Sequence, residues 1–152
     1  MTASSARRSD DPGKALPPAP RSWRRGRTRP LVLVVDDALD TRELYAMYFR
    51  HRGYDAVTAS DGDEGIDVAV AQKPDVIVMD LAMPRVSGVS AMHHLKHDPR
   101  TRRIPIILLT AFSHHAAEQG ALDMGADLFL TKPCLPEDLD RHVRHALTSR
   151  PA

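Results

Sequence analysis

Residues 31–37 read LVLVVDD, five apolar residues that end on two acids. A continuous apolar run of this length is typical of a strand that helices cover on both faces, as in a parallel sheet. Residues 76–79 (VIVM) and 106–109 (IILL) repeat the pattern, and the first of these two runs is followed by Asp80. We therefore predict that the three runs are the central strands of one parallel sheet.

Two further short runs, at 55–59 and 128–130, complete a predicted sheet of five strands. Each strand is followed by a segment in which apolar residues have helical spacing. The predicted helices span residues 41–52, 62–72, 87–97, 113–124 and 137–147. Because strict alternation of strands and helices requires right-handed crossovers, the sequence predicts a doubly wound parallel α/β fold.

Turn residues agree with these boundaries. Gly53 and Gly125 follow predicted helices, where glycine commonly ends a helix. Met83-Pro84 and Gly88 predict a tight loop after the third strand, since proline fixes one dihedral angle and glycine permits positive φ.

The composition argues against secreted and membrane proteins. Cys134 is the one cysteine of the chain, so no internal disulfide can form. Apolar runs are far shorter than the roughly 20 residues of a spanning helix, and no signal sequence is recognisable. We expect a cytoplasmic protein without a membrane partner.

Residues 1–29 form a basic segment rich in Pro, Arg and Ser, which we predict to be a disordered tail before a domain at 30–149. Residues 1–30 carry eight Lys or Arg against two Asp, a net charge of +6, whereas the remainder carries −5. The arginines around Trp23 could contact nucleic acid or an acidic partner. A solvated extension is the favoured interpretation.

Three acids follow two of the central strands. Asp36 and Asp37 end the first strand and Asp80 ends the third, so all three should meet at the carboxyl edge of the sheet. Such acids repel one another, and an oxygen-seeking divalent cation, Mg2+ in the first place, is the simplest remedy. An alternative for Asp37 or for Asp40 is a helix cap.

Thr110 ends the fourth strand and Lys132 follows the fifth, so both residues should face the same crevice. A hydroxyl can donate to a phosphoryl oxygen and an ammonium can neutralise one, which suits an acyl phosphate on a neighbouring aspartate. Asp80 is the best candidate nucleophile because it lies on the middle strand.

Four motifs in order carry a family resemblance: Val34-Val35-Asp36-Asp37, Val78-Met79-Asp80-Leu81-Ala82-Met83-Pro84, Leu109-Thr110-Ala111 and Thr131-Lys132-Pro133. From residue 31 to about 147 the chain resembles the receiver domain of two-component response regulators. The resemblance implies a flavodoxin-like sheet in the order 2-1-3-4-5.

The same resemblance implies individual roles. Asp80 resembles the phosphorylated aspartate, and Asp36 and Asp37 resemble the pair that holds Mg2+ with the backbone carbonyl of Ala82. Lys132 resembles the lysine that pairs with the phosphoryl group, on a cis Lys132-Pro133 peptide.

Thr110 and Phe129 resemble the family's switch hydroxyl and aromatic switch. Core packing is an equally good interpretation of Phe129.

The resemblance implies a signalling domain rather than an enzyme, with at most self-phosphorylation from small phosphodonors and self-dephosphorylation. A histidine kinase or histidine phosphotransfer protein would supply the phosphate. A downstream protein would bind the face made by the fourth helix, fifth strand and fifth helix. Nucleic acid is not expected as a partner, because no DNA-binding domain follows the predicted fold.

Two alternatives stay open: a degenerate receiver that is a constitutive binding module, and a nucleic-acid binder that acts through the tail under receiver control. A phosphohydrolase is disfavoured because Ala82 stands where such enzymes want a second acid. His93, His94 and His97 share one predicted helix, and the i, i+4 pair could bind zinc. Surface histidines are the favoured interpretation, since the pair lacks an HExxH pattern.

Overall fold

The computed structural model describes residues 27–81, 88–111 and 125–149. Within these ranges five parallel strands form one sheet in the order 2-1-3-4-5, which confirms the predicted fold. The strands are β1 (Leu31–Val35), β2 (Asp55–Ala59), β3 (Val76–Asp80), β4 (Ile106–Thr110) and β5 (Leu128–Thr131). The central strands β1, β3 and β4 are buried throughout, as their continuous apolar runs predicted.

The helices of the described ranges are α1 (Leu39–His51), α2 (Gly62–Gln72), α3 (Gly88–Lys96) and α4 (Pro136–Ser149). The helix predicted at 113–124 lies outside the described residues. None of the described helices has the length and apolar character needed to cross a bilayer.

The N-cap residue of α1 is Ala38, without a capping side chain. The alternative of Asp37 or Asp40 as the cap is therefore wrong. Gly53, at φ 99°, and Gly125, at φ 113°, both adopt the left-handed backbone that a helix-ending glycine permits.

Alternating residues of the central strands feed two apolar cores, one on each face of the sheet. Leu33, Val35, Ile77 and Met79 belong to the core that includes Ala69 of α2 and Ala91, Met92 and Leu95 of α3. Val32, Val34, Val76 and Val78 belong to the core that includes Tyr45, Ala46 and Phe49 of α1 and Leu139, Val143 and Leu147 of α4. Because helices cover both faces of the sheet, the ends of the central strands, rather than their faces, are directed toward solvent.

Two arginines of the predicted tail contact the folded body. Arg27 donates to the carbonyl oxygens of Gln72 and Lys73 at the end of α2 and pairs with buried Asp75 at 3.2 Å. Arg29 donates to the carbonyls of Gly53 and Arg50 at the end of α1. Residues 1–26 of the predicted tail lie outside the described residues, and the domain boundaries stay a prediction.

Candidate functional site

Three carboxylates converge at the carboxyl edge of the sheet. One oxygen each from Asp36, Asp37 and Asp80 lies within 4.8 Å of the other two. Asp36 and Asp80 are buried and Asp37 is exposed, so the cluster is accessible to solvent on the side of Asp37. In the described part of the chain, no other group of three or more His, Cys, Asp or Glu converges in this way.

Asp36 is positioned by the loop between β1 and α1. Its Oδ1 accepts a hydrogen bond from the backbone N–H of Ala38 at 2.9 Å, which leaves Oδ2 directed to the cluster. Arg42, one turn into α1, donates to the backbone carbonyls of Asp36 and Asp37 at 3.3 and 3.5 Å. Sequence reasoning missed Arg42, although its place in the first turn of the helix after two acids was a usable signal.

Lys132 places an ammonium among these acids. Its Nζ lies 2.9 Å from Oδ2 of Asp36 and 3.6 Å from Oδ2 of Asp80. Burial alone would lower the pKa of Lys132, but the hydrogen bond and charge of Asp36, followed by those of Asp80, outweigh it and raise the pKa. Lys132 is therefore charged at neutral pH and neutralises only part of the cluster.

The residues around Lys132 fix its position. Its backbone N–H donates to the carbonyl of Thr110 at 2.6 Å, and the Lys132-Pro133 peptide is cis, as the resemblance implied. One residue later, the carbonyl of Cys134 accepts a 2.7 Å hydrogen bond from the hydroxyl of Tyr45. Tyr45 is a buried residue of α1, so this bond joins the first helix to the loop that carries the lysine.

Thr110 and Phe129 lie where the sequence predicted. Thr110 is buried at the carboxyl end of β4, beside β3. Phe129 is buried in β5 and belongs to the core that contains Met79 and Leu108, which is the packing role considered for it. The switching role stays a prediction. Ala82 lies outside the described residues, so its carbonyl stays a prediction too.

Gly88 has a different role from the one predicted. It is the first residue of α3, and its N–H donates to the carbonyl of Leu81 at 2.8 Å. A Cβ at this position would clash with the backbone oxygen of Asp80 and would lie 2.8 Å from the Cα of Leu81. Glycine is therefore needed for close approach of α3 to the end of β3, and not for a positive φ.

These observations define a doubly wound parallel α/β fold with an acidic, lysine-flanked cluster at the carboxyl edge of its sheet. The sequence model of the family 'response regulator receiver domain' matches residues 32–144, and the chain belongs to that family. Its homologues are response regulators, so this is a receiver domain of two-component signal transduction.

Curated relatives include transcriptional regulators. The DNA-binding dual master transcriptional regulator RpaA of Synechocystis is 36% identical over 118 residues, which are 78% of this chain and 49% of that protein. The phosphate regulon regulatory protein PhoB of Pseudomonas aeruginosa is 35% identical over 116 residues, 76% of this chain and 51% of that protein. The chain thus spans about half the length of these relatives.

Solved structures agree over the same part of the chain. The chemotaxis protein CheY4 of Vibrio cholerae superposes with a TM-score of 0.75 at 29% identity, covering 78% of this chain and 99% of that one. The signal receiver domain of a histidine kinase from Syntrophus aciditrophicus gives 0.73 at 32% identity, covering 81% and 95%.

Proposed function

We propose that this receiver domain accepts a phosphoryl group on Asp80 from the phosphohistidine of a histidine kinase or histidine phosphotransfer protein. The observation that carries the proposal is the cluster of Asp36, Asp37 and Asp80 with Lys132 beside it at the carboxyl edge of the sheet. We assign the acceptor role to Asp80 because it ends β3, the middle strand of the sheet.

The transfer step is a displacement at phosphorus. A carboxylate oxygen of Asp80 forms the new O–P bond while the P–N bond to the donor imidazole breaks, and that nitrogen keeps the electron pair and takes up a proton. The ammonium of Lys132 offsets the negative charge that the phosphoryl oxygens bring into the cluster, and the hydroxyl of Thr110 offers a donor.

The donor set fits a magnesium ion. Three carboxylate oxygens within 4.8 Å are the hard oxygen ligands that Mg2+ prefers, and the exposed side of Asp37 leaves room for water and phosphate. Asp36, Asp37 and Asp80 would hold the ion, with the carbonyl of Ala82 as the ligand that the family resemblance adds. When bound, the ion stabilises charge on the transferred phosphoryl oxygens.

The output that we propose is protein binding in the cytoplasm. Thr110 and Phe129 lie on neighbouring strands β4 and β5, so a change at the phosphorylated edge can reach the face made by β5, α4 and the helix predicted at 113–124. A downstream protein would bind that face in one phosphorylation state. The match with DNA-binding regulators covers only about half of their length, so nucleic acid is not part of the proposal.

The test is intact-mass spectrometry of the full chain after incubation with acetyl phosphate and Mg2+. Wild type should gain one phosphoryl group, and Asp80→Asn and an EDTA-treated sample should gain none. Asp67→Asn, which changes an exposed aspartate on α2, is the matched control and should behave as wild type.

A second donor makes the test decisive. If folded wild type takes no phosphate either from acetyl phosphate or from phosphorylated histidine kinases, the acceptor role is wrong and the domain is a constitutive binding module. If Asp80→Asn is labelled as fully as wild type, the acceptor is another residue.

A further inference from the structure

Two histidines at the carboxyl-terminal end of α3 have their rings side by side. His93 and His97 are one helical turn apart, and their ring centroids are 4.0 Å apart with an interplanar angle of 37°. Both residues are exposed. The sequence favoured surface histidines here, which the exposure of both residues confirms, and the structure in addition places their rings side by side.

A hydrogen bond fixes which nitrogen His97 presents. Its Nδ1 lies 2.8 Å from the backbone carbonyl oxygen of His93. A carbonyl only accepts, so Nδ1 carries the hydrogen and Nε2 of the neutral ring is left with its lone pair. Metal-binding histidines are typically oriented in this way, by donating the other ring N–H to a carbonyl.

The surroundings of the pair are open and polar. Both rings line a surface depression of about 620 Å3 together with His94, Asp98, Pro99 and Arg100. Arg100 holds the carboxylate of Asp98 through hydrogen bonds of 2.7 to 3.2 Å. Asp98 is thus engaged by Arg100. We assign the ligands to His93 and His97 rather than to His94 because the rings of those two residues are in contact, and water would complete the coordination.

We propose that His93 and His97 form a binding site for one divalent transition ion of the class that prefers imidazole, namely Zn2+, Cu2+ or Ni2+. Two nitrogens bound to one tetrahedral ion at about 2.0–2.1 Å lie roughly 3.3 Å apart. The His93 side chain is exposed, so rotation about its torsions would bring a ring nitrogen to that distance from Nε2 of His97.

This site is distinct from the carboxylate cluster in place and in chemistry. Gly88, the first residue of α3, abuts Asp80, whereas the histidines are at the other end of a helix about 13 Å long. Imidazole suits Zn2+, Cu2+ and Ni2+, while carboxylates suit Mg2+. One domain would thus bind two different classes of cation at opposite ends of one helix.

The test is calorimetric titration of the full chain with Zn2+ in the presence of excess Mg2+, which occupies the carboxylate cluster. Wild type should bind Zn2+ at this site, and His93→Gln and His97→Gln should each weaken binding at least about tenfold, as loss of a ligand requires. His142→Gln, on α4, is the matched histidine control and should leave this affinity unchanged.

Nuclear magnetic resonance of the imidazole nitrogens gives a second readout. Zn2+ should shift Nε2 of His97 while Nδ1 keeps its proton. The proposal is overturned if wild type binds no Zn2+ under these conditions, or if both glutamine variants bind it as wild type does. It is also overturned if the ring nitrogens of His97 do not shift. None of these outcomes depends on phosphorylation of Asp80.

Discussion

At the scale of single residues, Asp140 shows how a buried charge is accommodated away from the site. Its Oδ1 accepts a 2.6 Å hydrogen bond from the hydroxyl of Tyr54, and Arg52 and Arg144 lie 3.4 and 3.3 Å from its carboxylate. Arg52 follows α1 and Asp140 belongs to α4, so the network joins the two helices on one face of the sheet. Breaking it would leave charge buried without compensation.

This network makes stability sensitive to alkaline pH. Burial, followed by the charge and hydrogen bond of Asp140, raises the pKa of Tyr54, and burial raises the pKa of Tyr45 to about 12. The pKa of Lys132 is raised as well. A group whose pKa is higher in the folded state than in the unfolded state stabilises the fold fully at pH values below its unfolded pKa. That stabilisation is lost progressively as the pH rises from the unfolded pKa toward the folded pKa.

We therefore expect the free energy of unfolding to fall from about pH 10 upward, since unfolded tyrosine and lysine titrate near 10. Tyr54→Phe should lower stability at pH 7 by about 1.5–3 kcal/mol, because it removes a hydrogen bond to a carboxylate. The same variant should lose less stability than wild type between pH 9 and 11.

Denaturant unfolding at pH 7, 9 and 11 measures both effects. Tyr48→Phe is the control for the alkaline effect, because Tyr48 donates no hydrogen bond to a carboxylate among the described residues. An equal alkaline loss in wild type and Tyr54→Phe would contradict the assignment to Tyr54.

At the scale of elements, the site depends on how closely α3 approaches β3. The hydrogen bond from Gly88 to Leu81 brings the helix against the backbone of the strand end that carries Asp80. The atoms that a Cβ on Gly88 would meet belong to the main chain, which cannot move aside as a flexible side chain can. There is therefore no room for a methyl group at this position.

We expect Gly88→Ala to lower the free energy of unfolding by at least about 2 kcal/mol, the range of overpacking effects, and to weaken Mg2+ binding as Asp80 shifts. Gly65→Ala is the matched control, because the three atoms nearest to a Cβ there belong to the side chain of Val35, the first of them at 3.0 Å, and not to the main chain. Denaturant unfolding and Mg2+ calorimetry measure the two effects. Wild-type Mg2+ affinity and stability in Gly88→Ala would show that the close approach is not required.

At the scale of the whole molecule, Arg27, a few residues before β1, contacts the amino edge of the sheet, opposite the carboxylate cluster. Asp75 is buried, and its Oδ2 accepts hydrogen bonds from the backbone of Leu31 at 2.7 Å and from Arg27 at 3.2 Å. Asp75 thus links both Arg27 and the first residue of β1 to the start of β3. Arg27 therefore lies on the side of the sheet away from Asp80.

We expect Arg27→Ala to lower the free energy of unfolding by about 3 kcal/mol, since it removes the arginine of a buried ion pair. Arg29→Ala is the matched control and should cost less than about 1 kcal/mol, because Arg29 and its partner Asp55 are about half exposed. Thermal or denaturant unfolding of both variants checks this. Equal effects of the two substitutions would show that burial of the Arg27–Asp75 pair does not contribute.

The fold class, the strands and the edge at which the acids meet all follow from the sequence. Continuous apolar runs that alternate with helical spacing have one common solution, a parallel sheet covered on both faces, and its strands must end on one edge. The convergence of Asp36, Asp37 and Asp80 follows from that topology. It needs no knowledge of side-chain conformation.

The contacts between residues far apart in the chain could not be predicted from the sequence. These include the preference of Lys132 for Asp36 over Asp80, the hydrogen bond of Tyr45 to the lysine loop, and the attachment of Arg27 to Asp75. Periodicity reports which face a residue takes but not which rotamer it adopts or how closely two backbones approach. For the same reason, the role of Gly88 and the meeting of the His93 and His97 rings became visible only in three dimensions.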